Sequence, residues 1–298
     1  WKLLVDPSAI KLGIPHDLQT MIAALIGKLP PEEAKLLEVA SAAARSKEFP
    51  VVTVAHALKI EERRVERMCF NLVEQGQFIQ HVGEERWPDG TKTHCFAFIH
   101  ELHQEIFYEW ISVINRPQLH QRIGTRLEQG YDQRANEITA MLAGHFERGQ
   151  DYHKAVQYWM LAGRNALQRN APGGAVTSVN RGLALLVEIP DVERPLLELQ
   201  LQMILGPALI ATEGYGATKV EAAFMRAREL CQQLGQNPKS FTMQWGLWGF
   251  HSVRGEFRIA HQIALDLEKL AGGNRSFQVE AHSARGITLV YRGELAEA

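Results

Sequence analysis

Four consecutive residues, His100-Glu101-Leu102-His103, come nearest in this chain to a chemical motif, because they set a carboxylate between two imidazoles. A zinc-protease helix needs His-Glu-x-x-His, which places both imidazoles one turn apart on one face. Position 104 is Gln104, so the spacing fails. A phosphate loop needs GxxxxGK[ST], in which successive backbone N–H groups cradle the phosphates and the lysine reaches over them. Gly214-Tyr215-Gly216-Ala217-Thr218-Lys219 has the wrong spacing, and no Gly-Lys pair follows Pro172-Gly173-Gly174-Ala175. The three cysteines, Cys69, Cys95 and Cys231, are odd in number and form no CxxC pair. They read as reduced thiols rather than as a disulfide framework or a zinc ribbon. No Ser/His/Asp or Cys/His set can be assembled from spacing. The expectation is a chain with no catalytic residue, metal or cofactor of its own.

Arg63, Arg64 and Arg67 share one helical stretch, Glu61 to Gln75. On a recognition helix such arginines contact guanine edges or phosphates. Glu61, Glu62 and Glu66 interleave with them and Glu74 follows. Residues 1–100 hold 12 Lys+Arg against 13 Asp+Glu, and the whole chain has a formal net charge of -2. DNA-binding domains are clearly basic. The three arginines are therefore expected to form a solvated face with i,i+3 or i,i+4 pairs, or to contact a neighbouring domain. Nucleic acid is not an expected partner. No apolar run approaches the ~20 residues of a membrane-spanning helix, and Trp1-Lys2-Leu3-Leu4-Val5-Asp6 is not a signal peptide. A cytoplasmic protein without a membrane partner is expected.

The elements that would position these residues follow from periodicity. Pro7 and Gly13 mark residues 1–14 as a connector. Leu18, Met21, Ile22, Leu25, Ile26 and Leu29 recur at helical spacing until Pro30-Pro31. Glu32 and Glu33 open a second helix, where acidic residues suit the first turn. An extended stretch at Phe49-Pro50-Val51-Val52 precedes two short helices, Val52 to Leu58 and Glu61 to Gln75, the second stopped by Gly76. Phe78 to Val82 and Thr91 to Phe98 alternate like strands about the turn Pro88-Asp89-Gly90. Helices followed by a hairpin are the order of a winged helix, assigned to residues 15–100.

Beyond His100 the alternation disappears. Helices are predicted at about 101–114, 117–129, 134–148, 151–168, 172–188, 193–211, 217–235, 238–254, 257–271 and 276–292, with breaks at Pro117, Gly149, Pro172, Pro190, Gly214, Pro238, Gly255 and Gly272-Gly273. Residues 101–131 read as a helical linker and 132–298 as a tetratricopeptide-like array cut short at its end. Ala143, Phe146, Ala155, Trp159 and Ala162 occupy the small and aromatic positions where one helix of a pair meets the other. Leu247, His251, Gly255-Glu256-Phe257, Ala260 and Ala264 suggest a second unit; Gly286, Leu289, Gly293-Glu294-Leu295 and Ala298 suggest a third. Ala155 and Ala260 are 105 residues apart, about three repeats of ~34. Trp159, Trp245, Trp248 and Phe250 are expected mostly as core between repeats, with a peptide groove as the alternative. The fold class is mainly α: a winged-helix domain with a small β-hairpin, followed by a tetratricopeptide-like α-solenoid.

Several stretches together resemble a family. Ile14-Pro15 with Leu18 through Pro31 and Glu32 looks like the winged-helix segment behind the nucleotide-binding domain of STAND-type signalling ATPases. Such regulators are often fused to bacterial adenylate or guanylate cyclase, kinase or transcription-factor modules. Phe98-Ile99-His100-Glu101-Leu102, then Glu105 and Tyr108, resembles the F-x-H-x-L…Y signature that ends that winged helix. Leu119-His120, Arg122-Ile123, Leu127-Glu128, Gly206 through Tyr215, and Trp245 through Phe250 fit as well.

The resemblance implies an ATPase domain upstream of Trp1 that holds ATP or ADP, onto which the winged helix would dock. It implies that His100 senses nucleotide there by reaching the β-phosphate of ADP, a contact an imidazole donor can make. Ile99 stands where many cyclase-linked relatives carry arginine. The chain would then be a non-catalytic segment coupling nucleotide state to a protein or peptide partner held by the repeats. The alternatives are a DNA-binding winged-helix regulator and a helical scaffold without a nucleotide switch.

Overall fold

A computed structural model describes residues 25–235 and 241–297. The expected connector 1–14 and most of the first helix lie outside those residues. The chain divides into two compact units. One runs to Arg134 and takes in Arg148–Gln150; the other comprises Ala135–Glu147 and the chain from Asp151 on.

The first unit contains α1 (Pro31–Ala43), β1 (Glu48–Pro50), α2 (Val51–Leu58), α3 (Glu62–Gln75), β2 (Ile79–Arg86), β3 (Lys92–Phe98), α4 (Glu101–Trp110) and α5 (Arg116–Tyr131). Pro31 starts α1 where a missing N–H costs nothing, and Glu32 and Glu33 favour its positive end. Gly76, at φ 65°, turns the chain out of α3, and its N–H bonds the Val73 carbonyl. The strands form one antiparallel sheet in the order β1-β3-β2. The expected hairpin therefore gains a third strand, with Phe49 opposite Phe96. A register shift between His81 and Gly83 bends β2, where Gly83 takes φ 132°. Phe49, Phe78, Phe96, Phe98 and Phe107 are fully buried and fill the space between sheet and helices. Residues 101–131 form α4 and α5, whose apolar faces (Ile106, Phe107, Leu119, Ile123, Leu127) belong to the buried part of this unit.

The second unit begins with α6 (Thr139–Arg148), preceded by a 3-10 segment at Asp132–Ile138. Then come α7 (Tyr152–Gln168), α8 (Pro172–Ala184), α9 (Arg194–Glu213), α10 (Thr218–Gln233), α11 (Phe241–Val253), α12 (Phe257–Ala271) and α13 (Arg275–Arg292). Asp151 caps α7 by accepting from the Lys154 N–H, and Asn274 caps α13 by accepting from Ser276 and Phe277. From α7 on, each helix packs on the next, and α7 also meets α9, α9 meets α11, and α11 meets α13. These four helices form one row of a helical-repeat stack; α8, α10 and α12 lie outside it. By length and composition α9 could cross a membrane, contrary to the expectation from apolar runs. Here Leu199, Leu201, Ile204, Leu205 and Leu209 bury its apolar face among its neighbours.

Ala143, Trp159 and Ala162 do meet, as their spacing predicts. The 105-residue interval is different: Ala155 is on α7, in that row, and Ala260 is on α12, outside it. The equivalent points are the positive-φ turns after α7, α9, α11 and α13, at Asn170 (φ 56°), Gly214 (84°), Gly255 (75°) and Gly293 (81°). The repeat length drifts because the connections differ.

Glycines inside the helices set the spacing. Phe224 of α10 lies between Gly206 of α9 and Gly246 of α11, and a Cβ at those positions would come within 2.4 and 2.1 Å of its ring. Gly163 of α7 admits Val179 of α8 in the same way, at 2.8 Å. In the first unit, His120 on α5 is buried and its Nε2 is 2.9 Å from the Tyr108 hydroxyl of α4. Burial, then the charges of Arg148 and Arg116, push its pKa from 6.5 down to about 4.

Gly246→Ala is expected to destabilise the protein by about 1–3 kcal/mol through overpacking, with Phe224→Leu in the same chain restoring part of the loss; denaturant melts measure both. Stability contributed by neutral His120 is fully present above pH 6.5 and is lost as pH falls toward about 4. His120→Gln should therefore flatten the pH dependence of the melt in that window, by about 2–3 kcal/mol across it.

Candidate functional site

The arginines and the hairpin share the front of the first unit. Arg63, Arg64 and Arg67 are all exposed on α3. Arg64 is bound to Glu32 of α1 through two hydrogen bonds of 2.7 and 2.8 Å. Arg63 and Arg67 form no ion pair among the described residues. Glu66, between them, meets His94 Nε2 of β3 at 3.1 Å, and His94 Nδ1 is 3.2 Å from His81 Nε2 of β2. Phe70 packs against both imidazoles. The side of α3 facing the hairpin is therefore occupied by the protein itself.

The hairpin tip is occupied too. Trp87 is buried, and its ring lies on Gly130 of α5, where a Cβ would come within 2.0 Å. Arg126 also lies against the ring, 4.7 Å from its centroid. It also reaches Asp89 at 3.2 Å and the Thr91 hydroxyl at 3.0 Å, and the Asp89 N–H bonds the Gly130 carbonyl at 3.1 Å. Desolvation pushes the Asp89 carboxyl up, but hydrogen bonds from Thr91 and Arg126 outweigh it and hold the pKa below the ordinary value. A wing that contacts a DNA backbone needs a free tip; this tip is fastened to α5.

His100 occupies the N-cap position of α4 in extended conformation, φ −128° and ψ 141°, and its side chain does not cap the helix. The ring is exposed, with its centroid 5.3 Å from that of His103. His103 is buried against Phe78; burial and then the charge of His100 lower its pKa. The pair thus sets an accessible imidazole beside a buried one whose neutral form is favoured. No group of three or more metal-ligating side chains is present among the described residues.

The second unit carries a cleft of about 540 Å³ lined by residues of α11, α12 and α13 and of the turn after α9. Tyr215 follows Gly214, and its ring rests on Gly249 of α11, where a Cβ would come within 2.2 Å. Trp245 and Trp248 lie one turn apart on α11, their rings 4.8 Å apart. Trp248 Nε1 donates to the Thr288 hydroxyl at 2.9 Å, which fixes its ring against α13. Phe257 and Tyr291 stack in parallel at 5.2 Å. Val253 and Tyr291 are each 66% exposed and Ile287 45%. Of the aromatics expected as core, Trp159 and Phe250 are core, whereas Trp245 and Trp248 also line the cleft. Tyr215, Phe257, Ile287 and Tyr291 were missed as site residues. The left-handed glycines before Tyr215 and Phe257 were the available signal, since each sets a ring just past a helix end.

No protein-family model matches the chain. An uncharacterized protein of Rhizobium meliloti (strain 1021) is 28% identical over 179 residues, which is 59% of this chain and 17% of that protein. Among solved structures, the crystal structure of a STAND protein with a tetratricopeptide repeat sensor, from Pyrococcus horikoshii, aligns with a TM-score of 0.33 and 12% identity over 93% of this chain and 44% of that one. The chain thus spans less than half the length of either.

Trp87→Ala is expected to cost about 3–5 kcal/mol and to release the hairpin tip. Hydrogen exchange at the Asp89 amide should then rise with little change in the helices of the second unit.

Proposed function

We propose that this chain is a non-catalytic regulatory and protein-interaction segment of a STAND-type signal-transduction ATPase. The observation that carries the reading is the uncharged aromatic cleft on the helical repeats, a surface suited to binding rather than chemistry. The residue motifs ending at Phe98-Ile99-His100 support the family.

In this reading the first unit is a winged helix whose third helix and hairpin are closed upon one another, and its outer faces dock on a nucleotide-binding domain upstream of Trp1. ATP or ADP binds that domain. His100, exposed at the start of α4 and with no side-chain hydrogen bond among the described residues, reaches the β-phosphate of ADP and holds the protein in its closed state. A partner bound by the repeats shifts the closed–open balance through its differential affinity for the two states. The protein acts in the cytoplasm. The fastened hairpin tip and the Arg64–Glu32 pair weigh against a DNA-binding role, which would need both surfaces free.

The coding sequence upstream of Trp1 should contain a phosphate loop, GxxxxGK[ST], and its absence would sink the ATPase reading. In a protein that includes that domain, His100→Ala should weaken ADP retention by roughly tenfold, the loss of one charge-assisted contact. Unchanged ADP affinity and turnover would remove the sensor role. Equilibrium dialysis with labelled ADP and a phosphate-release assay measure the two.

A further inference from the structure

Buried polar side chains are nearly always hydrogen-bonded. Gln244 of α11 is an exception. It is 7% exposed, and its amide has no hydrogen-bond partner among the described residues. The side chain lines a groove of about 470 Å³ between α10, α11 and α12, which shares no lining residue with the aromatic cleft. The same position recurs one repeat earlier. Gln202, Leu205 and Leu209 of α9 line a groove between α8, α9 and α10, and precede Gln244, Leu247 and His251 of α11 by 42 residues each. Gln202 Oε1 is buried there without a donor. An amide at this place is thus a feature of the repeat. The two grooves differ in their charges. In the earlier one Lys219 is paired with Glu213 at 2.7 Å, and Arg226 with Glu198 and Glu229 at 2.6 and 3.2 Å. In the later one Glu221 and Arg228, both half-buried on α10, form no ion pair among the described residues. Its other ionisable groups are engaged: Asp266 with Lys269 at 3.3 Å, and His251 with Glu256 at 2.5 Å.

We propose that the groove between α10, α11 and α12 binds an extended segment of a protein partner that carries both an acidic and a basic residue. Gln244 bonds the backbone of that segment, Arg228 meets its acidic residue and Glu221 its basic one. The inference rests on the partner-binding role above and adds a second surface with its own chemistry. A carboxamide offers both a donor and an acceptor. An extended backbone has N–H and C=O groups free to meet them, whereas a helix has satisfied its own. Glu221 and Arg228 are seven residues apart, so they lie on one face of α10 at a separation of about 10 Å. An extended chain rises about 3.3 Å per residue. With the reach of their side chains, the two complementary residues therefore stand about two to four positions apart. A segment of one charge sign would leave one of these two groups unmet and be repelled by it. A polyanion such as nucleic acid would also face Asp266 across the groove.

The probe is a labelled pool of short synthetic peptides, each with one Glu and one Lys at those spacings among uncharged residues. It is titrated into the whole chain and followed by fluorescence anisotropy. Control pools carry two Glu, two Lys or neither. The expected result is saturable binding of the mixed pool, at least roughly tenfold tighter than that of any control. Arg228→Gln and Glu221→Gln should each abolish that preference. Gln244→Met keeps the unbranched shape and removes the amide. It should weaken binding roughly tenfold while leaving the melting temperature unchanged or raised, because the amide it removes has no partner within the chain. A lowered melting temperature for that variant, or its unchanged binding, overturns the proposal. So does binding of any control pool as tight as that of the mixed pool, and so does the lack of saturable binding to folded chain. Loss of the ATPase reading would show in the upstream sequence and in ADP retention, neither of which this titration measures.

Discussion

Aromatic rings laid on helix glycines hold this structure together at its decisive points. Phe224 sits between Gly206 and Gly246, Tyr215 on Gly249, and Trp87 on Gly130. In each case a single Cβ would collide with the ring. The physical trade is plain. A glycine inside a helix costs up to about 1 kcal/mol of propensity relative to alanine, and a buried ring recovers more by removing a large apolar area from water. Helices brought this close also gain dispersion contacts along their length. The glycines are therefore packing devices at these sites, while Gly214, Gly255 and Gly293 serve the separate purpose of turning the chain.

That one interaction links the stack to its cleft. Because Phe224 draws α9, α10 and α11 together, the turn after α9 is delivered beside α11, and Tyr215 drops onto Gly249 as one wall of the cleft. Trp248 is then held against α13 by Thr288, and Phe257 reaches Tyr291 one helix further on. The cleft is a by-product of close packing along the row of α7, α9, α11 and α13, which explains why its walls are rings. Exposed Val253, Ile287 and Tyr291 leave it apolar at the rim, where a folded domain would ordinarily place polar groups.

In the first unit the same device acts on the hairpin. Trp87 on Gly130, with Arg126 against its ring and Asp89 bonded to Arg126, turns a projecting tip into a packed corner. Glu66, His94, His81 and Phe70 close the gap between α3 and the strands. What remains accessible is the outer face of α3, with Arg63 and Arg67, and the start of α4, with His100.

Much of the architecture was legible in the sequence. Helical periodicity and the Pro, Gly and Asx punctuation located the helices because backbone hydrogen bonding and caps are local, and the Pro88-Asp89-Gly90 turn located the hairpin for the same reason. Charge interleaving along Glu61–Arg67 already spoke against a basic recognition helix. Tertiary structure alone decided the rest. Whether Ala155 and Ala260 are equivalent depended on which row each helix joined, and spacing carries no row label. Whether Trp245 and Trp248 faced core or cleft depended on Gly249 and on a turn some thirty residues earlier in the chain. Strand β1, too, paired with β3 across α2 and α3, a contact that no local pattern announces. Local chemistry determines elements. The partners those elements choose depend on how side-chain volumes fit after the chain has folded back on itself.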